Sequence, residues 1–338
     1  MIDKNKPSLA IVIPTYNEEN YILDALKSVS FADQIIIIDS YSTDKTLEIA
    51  RPYCTTVLER NFDNFSSQRN AAIEKVTANW ILFIDADERV SEELKAQILD
   101  AISRPEHKAY KIIQLHYYMD RFLHHHTDRV IRLVKNEGYR FIGEVHEHLN
   151  VTSSVGILKG SLLHYTYKGF TSYLDKKMMY SSFQAKELLK KNKGHNYFLL
   201  LVKPNIRFIK SAFIKGGYKD GYPALVVAQI NGLGVFMRIT KALAAKNKLK
   251  DSRFESAEHI DKFLKSQHAQ LKINAKTIEK PHENGLKLKI IASLLFYKEY
   301  IFKGGIFKGK TGLINSYLTG HFYFVEQVYA WLDKHHLE

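Results

Sequence analysis

The sequence predicts an α/β fold with a mostly parallel sheet flanked by helices, followed by a mainly helical C-terminal region. Three observations predict it. Short apolar runs alternate with helix-like segments through the N-terminal part. Turn-forming or charged residues follow most of these runs. The C-terminal part contains an internal repeat of helical segments.

The apolar runs at residues 9–13, 34–38, 56–58 and 80–84 are predicted strands, and amphipathic segments between them are predicted helices. In parallel sheets of this kind, ligands bind at the carboxyl ends of the strands. The polar residues that follow the strands are therefore candidate site residues. They are Thr15, Asn17, Glu18, Asp39, Ser40, Asp85 and Asp87.

Asp85 and Asp87 lie two residues apart, so in extended backbone both side chains point the same way. A carboxylate pair at the end of a central strand suits a hard divalent cation such as Mg²⁺ or Mn²⁺. Such an ion can bridge to a diphosphate. The alternative is an acidic strand end before a helix that begins near Ser91. This stretch alone supports both interpretations equally.

The composition is that of a two-domain globular protein, with 338 residues, 45% hydrophobic and 25% charged. We expect a catalytic domain over residues 1–200 and a helical, basic region over residues 201–338. The single cysteine, Cys54, favours a reducing compartment. The sequence has no apolar leader and no run of 18 or more apolar residues, so we expect a cytoplasmic protein without a spanning helix.

The net charge of +13 is concentrated in one region. Residues 201–310 contain 22 Lys and Arg but only 8 Asp and Glu, so the rest of the chain is nearly neutral. A basic excess of this kind indicates an anionic partner, such as a membrane surface, nucleic acid or an acidic substrate.

Four motifs, in order and spacing, resemble those of the family 2 glycosyltransferases, which have the GT-A fold. The motifs are Pro14-Thr-Tyr-Asn-Glu18, Ile38-Asp-Ser-Tyr-Ser-Thr-Asp-Lys-Thr46, Gln68-Arg-Asn70 and Asp85-Ala-Asp87. Most members carry two adjacent aspartates where this chain has Asp39-Ser40, a departure that suggests a particular subfamily.

The resemblance implies a site for a nucleotide diphosphate sugar. In the family, the first motif and the aspartate after the second strand hold uracil and ribose, and the last aspartate of the pair holds a metal ion on the diphosphate. This assigns Mn²⁺ or Mg²⁺ to Asp87, with Asp85 on the ribose or a metal-bound water. The predicted nucleotide-sugar-binding residues are Pro14, Thr15, Tyr16, Asn17, Glu18, Asp39, Ser40, Arg69, Asn70, Asp85 and Ala86.

The acceptor side is predicted between residues 107 and 165, where residues 141–148 alternate as a strand would. Direct displacement needs a carboxylate base near the acceptor hydroxyl, and Glu144 and Glu147 are the candidates. A charged surface strand is the alternative. The segment resembles the Val-His-Glu motif of bacterial lipopolysaccharide core glucosyltransferases, a likeness that spans residues 8–245 and favours Glu147. The three histidines at 124–126 are expected in a solvated loop.

The repeat relates residues 208–236 to residues 296–324 at an offset of 88. Each copy contains an aromatic, lysine-rich helix, a Gly-Gly break and a longer apolar helix. Rings and lysines together are typical of an interfacial membrane segment, and we expect the copies to form a platform where the acceptor arrives. The alternative is two ordinary helical hairpins with the aromatic residues in their core.

The sequence therefore predicts a metal-dependent, inverting glycosyltransferase. It would move a hexose, from UDP-glucose, to a lipid-linked glycan such as lipopolysaccharide core, on the cytoplasmic face of the inner membrane. One alternative is a metal-dependent nucleotidyltransferase, although its Gly-rich segment after the first strand is missing. Another is a nucleic-acid-binding protein, which the pI near 9.4 would suit. The aromatic residues lie in predicted helices rather than on an open sheet, which favours lipid over nucleic acid.

Overall fold

The computed structural model describes residues 7–143, 147–191, 198–246, 249 and 251–337. The chain divides into two compact units. The first contains residues up to 117 and residues 127–166, and the second contains residues 118–126 and the chain from 167 onward. The predicted boundary at residue 200 falls inside the second unit.

The first unit is built on an eight-stranded sheet with the strand order β3-β2-β1-β4-β7-β6-β10-β5. Neighbours β1–β2, β1–β4, β2–β3 and β6–β10 are parallel, whereas β4–β7 and β5–β10 are antiparallel. The strands are β1 Leu9–Thr15, β2 Gln34–Asp39, β3 Thr56–Glu59, β4 Trp80–Phe83, β5 Glu88–Val90, β6 Ala109–Tyr118, β7 Arg121–Lys135, β8 Phe141–Ile142, β9 His148–Leu149 and β10 Val155–His164.

The central strands are apolar throughout because both faces of the sheet are covered. Ile11 and Ile13 of β1 pack into one hydrophobic core, and Val12 between them packs into another. The helices of this unit are α1 Ile22–Ser28, α2 Thr46–Ala50, α3 Phe65–Ile73 and α4 Glu92–Ser103. The predicted α/β class is confirmed.

Two local predictions are wrong. The histidines at 124–126 lie within β7 rather than in a loop, because Met119 and Asp120 (φ 46° and 68°) form a tight turn that extends the β6–β7 hairpin. Residues 141–149 are not one strand, since β8 and β9 pair with each other in antiparallel fashion. Strand alternation therefore cannot be applied across the segment.

The second unit is mainly helical, as predicted. Its helices are α5 Phe170–Lys190, α6 Phe198–Ile209, α7 Tyr222–Ala244, α8 Ala257–Ala275, α9 Gly285–Tyr297 and α10 Gly309–Lys334. In the described part of the chain, α7 alone is long and apolar enough, by length and composition, to cross a membrane, with a mean hydropathy of 1.3. Its window is 83% buried within the protein, as in the core helix of a folded domain.

The internal repeat is present in the structure at the same offset. In each copy a helix (α6 or α9) continues into one π-helical turn, Lys210–Ile214 or Lys298–Phe302, and a 3₁₀ turn then leads to a long helix (α7 or α10). Glycine is required where each turn reverses, since Gly216 and Gly304 have φ of 76° and 73°. The two copies are therefore one structural motif used twice.

Exposed apolar side chains also recur at the offset of 88. The most exposed matched pair is Ile214 at 75% and Phe302 at 84%, both at the end of the π-helical turn. The other matched exposed pairs are Phe198 and Leu286, Ile206 and Leu294, Ile209 and Tyr297, Phe213 and Ile301, and Tyr218 and Ile306. Surface exposure of apolar residues is thus a shared property of the motif rather than an accident of one helix.

A buried histidine pair lies in the core of the helical unit. His268 of α8 and His321 of α10 are 3% and 1% exposed, with 3.0 Å between their Nε2 atoms. Burial lowers the pKa of His268 to about 4. Burial, together with the charges of His268 and Lys289, lowers the pKa of His321 well below its ordinary value. The pair is therefore held neutral in the folded protein.

The helical unit should lose stability on acidification. An unfolded histidine titrates near pH ~6.5, so the unfolded state binds more protons than the folded state from there down to about pH 4. The stabilisation contributed by the neutral histidines is complete above the unfolded-state pKa and is lost as the pH falls. For His268 alone, the free energy of unfolding should decrease by about 2 kcal/mol between about pH 7 and pH 5. Urea denaturation at both pH values measures it. Replacing both histidines with glutamine should flatten this dependence, whereas His259→Gln, on the exposed face of α8, should not.

Candidate active site

The carboxyl ends of β1 and β2 are joined by a buried carboxylate. Asp39 is fully buried and accepts hydrogen bonds from Thr15 Oγ1 (2.7 Å), Ser42 N (2.6 Å) and Ser42 Oγ (2.6 Å). Three protein donors leave little of its hydrogen-bonding capacity for a ligand. Asp39 therefore fixes the loop after β2 against the end of β1.

The loops after β1 and β2 are held together by further side-chain contacts. Asn17 Oδ1 accepts from Thr43 N at 2.8 Å, and Glu18 N donates to Thr46 Oγ1 at 2.8 Å. Tyr41 has φ 60°, an outlier for a bulky residue of the kind that clusters at binding sites. Tyr16 and Tyr41 are half exposed beside this network.

The motif residues Gln68, Arg69 and Asn70 of α3 contact different parts of the protein. Gln68 donates from Nε2 to Ser40 Oγ at 2.7 Å, which ties α3 to the loop after β2. Asn70 exchanges two hydrogen bonds with the backbone of Phe141, at 2.8 and 2.9 Å, and so holds β8. Only Arg69 of the three contacts a predicted catalytic carboxylate.

Arg69 bridges the two carboxylates Asp85 and Glu147. Its guanidinium lies 2.7 Å from Asp85 Oδ1 and 2.6 Å from Glu147 Oε1. The other oxygen of Asp85 pairs with Arg132 at 3.0 Å. Burial favours protonation of Asp85, but Arg132 and Arg69 outweigh it and hold the pKa of this carboxyl well below its usual value. Asp85 is thus a fixed anion between two arginines.

Asp87 contacts none of these arginines. Its Oδ1 lies 3.4 Å from Nε2 of His164, the last residue of β10, and its side chain is 17% exposed. Burial lowers the pKa of His164, but the pairing with Asp87 and the nearby Glu88 and Asp85 outweigh it, so the pKa is raised. Because both oxygens of Asp85 are paired, Asp87 is the carboxylate of the motif that can bind a cation. Ala86, between the two, is buried.

The described residues contain no cluster of three or more metal-ligating side chains. A protein Mg²⁺ site commonly uses one or two carboxylates and takes its remaining ligands from substrate phosphates and water. Asp87 fits that arrangement as the protein carboxylate. The side chains present therefore fit a metal ion that binds together with a diphosphate.

Glu147 lies at the wall of a cavity of about 320 Å³ in the first unit. Arg69, Asp85 and Phe141 also line it, together with Lys111 and Arg129. The side chain of Glu147 is 21% exposed, so it remains accessible despite its ion pair. The other predicted base, Glu144, and its neighbour His146 lie outside the described residues.

The comparison with protein families decides the class of this unit. Residues 10–165, which contain the Asp87–His164 pair and the Arg69 bridge, match the model of glycosyl transferase family 2. This part of the chain is a family 2 glycosyltransferase domain. The predicted resemblance to the family 2 glycosyltransferases is confirmed.

Similarity to other proteins extends past the matched residues. The chain is 27% identical over 250 residues to an uncharacterized glycosyltransferase of Rickettsia typhi, covering 69% of this chain and 86% of that protein. It is 25% identical over 250 residues to the lipopolysaccharide core biosynthesis glycosyltransferase LpsC of Rhizobium meliloti, covering 70% and 92%. The crystal structure of S. aureus TarS 1–349 in complex with UDP-GlcNAc aligns at a TM-score of 0.38 with 14% identity, covering 81% and 94%.

The glycosyltransferase domain contains charged residues that the sequence interpretation missed. Arg132 of β7 contacts Glu88 Oε1 at 3.0 Å, and Gln114 Nε2 also donates to this oxygen. Glu88 is fully buried, and burial raises its pKa to about 6 against the lowering effect of Arg132. The available signal was an arginine within an apolar run of β7 and a third acid directly after Asp87. Arg132 and Glu88 thus form a buried charge network with Asp85.

Proposed function

We propose that the protein is an inverting, metal-dependent glycosyltransferase that uses a UDP-hexose, with UDP-glucose as the donor. The observation that carries the proposal is the bridge of Arg69 between Glu147 and Asp85, which sets a carboxylate base beside the Asp-x-Asp motif. A family 2 domain supplies the reaction class. The donor sugar rests on the likeness to lipopolysaccharide core glucosyltransferases.

In the proposed reaction, the acceptor hydroxyl oxygen attacks the anomeric carbon of the hexose. The bond from this carbon to the UDP oxygen breaks, UDP leaves as an anion, and Glu147 takes the hydroxyl proton. Arg69 holds Glu147 in place through one nitrogen and Asp85 through the other. Attack from the side opposite the leaving group inverts the anomeric configuration.

The proposed metal is Mn²⁺ or Mg²⁺, which Asp87 would hold. When bound, it neutralises the negative charge that develops on the leaving diphosphate. Asp85 contributes by charge and position, since its oxygens remain with Arg69 and Arg132.

A uridine nucleotide should stabilise the protein more than an adenine or guanine nucleotide does. The loops held by Asp39 and Asn17 form the proposed uridine site, and a ligand at about 100 times its Kd adds about 2.7 kcal/mol to the free energy of unfolding. Thermal denaturation with UDP, ADP and GDP, each with Mn²⁺, measures the effect. Equal shifts for all three would contradict a uridine-selective site.

We further propose that the acceptor is a lipid-linked glycan such as lipopolysaccharide core, and that the protein binds the anionic cytoplasmic face of the inner membrane. Two observations support membrane binding. The repeat exposes matched apolar side chains, among them Ile214 and Phe302, and exposed lysines lie beside them in both copies. No nucleic-acid partner is proposed, because the exposed aromatic side chains of the repeat, such as Phe213 and Tyr297, lie on helices rather than on an open sheet.

Neutralising the lysines of the repeat should weaken binding to anionic liposomes. Each contributes on the order of 1 kcal/mol near an anionic surface, although Lys303 also pairs with Glu299 at 2.8 Å and should contribute less. Cosedimentation at low salt measures the loss, which added salt should reproduce. The variant replaces Lys210, Lys215, Lys298 and Lys303 with glutamine. The matched control replaces the exposed lysines Lys27, Lys75, Lys159 and Lys262.

Unchanged liposome binding in the repeat variant, or an equal loss in the control, would contradict the proposed surface. Hydrolysis of the donor sugar should survive in both variants, because the proposed nucleotide site belongs to the other unit. Loss of donor hydrolysis in the repeat variant alone would mean that the substitutions act on the enzyme rather than on membrane binding.

A further inference from the structure

The helical unit contains a cavity of about 470 Å³ between the two copies of the repeat. This volume lies in the range of small-molecule sites, about 300–1,000 Å³. Both copies line it at equivalent positions. Leu201 of α6 corresponds to Lys289 of α9, and Asn205 corresponds to Ser293. The cavity therefore lies where the two copies face each other.

Two polar side chains in the cavity wall make no hydrogen bond or ion pair with the described residues. Gln229 of α7 is 4% exposed and makes no hydrogen bond within the part of the chain that the structure describes. Lys289 pairs with no carboxylate of the described residues, and its Nζ lies 5.2 Å from the ring of Phe208. Lys289 is partly buried, and neither side chain uses its hydrogen-bonding capacity on the described protein, so both can serve a ligand in the cavity. This end of the cavity is built to meet an anionic, hydrogen-bond-accepting group.

The charge at Lys289 is particular to the second copy. The first copy has Leu201 at the same position, on the wall of the same cavity, so packing of the motif does not require a lysine. Burial lowers the pKa of Lys289 to about 8, which reflects its apolar surroundings. A cation placed in such surroundings gains most from an anion that enters the cavity.

The mouth of the cavity is apolar and open to the surface. Tyr297, Ile301 and Ile306 line the cavity and are each about half exposed (51%, 50% and 50%). Phe302, next to Ile301, is 84% exposed, and Phe307, next to Ile306, is 91% exposed. A ligand that reaches Lys289 would leave the rest of its length among these apolar side chains.

We propose that this cavity is a binding site for a single-chain amphiphile with an anionic head, phosphate or carboxylate. The head lies at Lys289 and Gln229, and the apolar chain leaves between Tyr297, Ile301 and Ile306. All of these residues belong to the helical unit, so the site is additional to the proposed transferase chemistry. A lipid chain withdrawn from the membrane surface would enter through the same mouth.

Isothermal titration calorimetry of the full chain with dodecyl phosphate, below its micelle concentration, tests the site. Dodecanoate is the second anionic probe and separates phosphate from carboxylate heads. Dodecyl maltoside has the chain without the charge, and inorganic phosphate has the charge without the chain. We expect saturable binding of at least one anionic amphiphile and weaker binding of the other two probes.

Lys289→Leu should weaken that binding about tenfold to a hundredfold, the effect of losing a charge-assisted hydrogen bond. It places in the second copy the residue that the first copy already has, so folding should be preserved, and Lys289→Gln is the second variant. Lys287→Leu removes an exposed charge from the same helix and should leave binding unchanged. Equal binding of dodecyl maltoside, or undiminished binding in both Lys289 variants, would overturn the proposal.

Discussion

Asp87→Asn should lower sugar transfer by about 10³-fold or more. Asparagine keeps the size of the side chain but removes the charge that holds the proposed metal ion, whose effect on the transition state is several kcal/mol. The fold should survive, since the backbone oxygen of Asp87 that accepts from Tyr165 N at 2.8 Å is retained. Steady-state transfer at saturating Mn²⁺ measures the loss.

The matched control is Asp100→Asn, the same change at an exposed position of α4 in the same unit. It should leave transfer and thermal stability unchanged. Near-normal turnover of the Asp87 variant would remove this residue from metal binding. A comparable loss in the control would show that transfer is sensitive to any loss of acidic charge.

Glu147→Gln should lower the chemical step by about 10²–10⁴-fold, the usual contribution of a general base. The amide is nearly the same size but cannot take the acceptor proton. Binding of the nucleotide should change little, because Arg69 keeps its contact with Asp85 at 2.7 Å. Single-turnover transfer reports the chemical step, and UDP titration reports binding.

Glu106→Gln, at an exposed position of the same unit, is the control and should transfer sugar normally. Glu144→Gln completes the comparison. If that variant is inactive and the Glu147 variant is normal, the roles of the two glutamates are exchanged. Normal transfer by both would place the base elsewhere in the protein.

The apolar runs were sufficient to predict the first four strands, because a buried strand must be apolar on both faces. The runs at Leu9 and Trp80 became β1 and β4, which pair in parallel, in agreement with the expected mostly parallel sheet. The repeat was equally visible, since Gly216 and Gly304 need the same backbone conformation in both copies. Features that depend on residues close together in the sequence, such as strands and glycine turns, could thus be predicted.

Contacts between distant residues could not be predicted in the same way. Arg132 lies on β7, more than forty residues after Asp85 and Glu88 in the sequence, and contacts both of them in the folded protein. Strand alternation placed Glu144 and Glu147 on opposite sides of one strand, whereas β8 and β9 are two paired strands. Lys289 and Gln229 line one cavity only because the two copies of the repeat face each other. Each of these depends on tertiary packing rather than on spacing.

Release of UDP from UDP-glucose is the most direct test of metal-dependent glycosyl transfer. The wild-type protein with Mn²⁺ should release UDP slowly in the absence of acceptor, lose this activity in EDTA, and regain it when Mn²⁺ or Mg²⁺ is restored. The Asp87→Asn variant should release none under any of these conditions. UDP release that continues undiminished in EDTA or in that variant, or that occurs with other nucleotide sugars but not with UDP-glucose, would contradict the account.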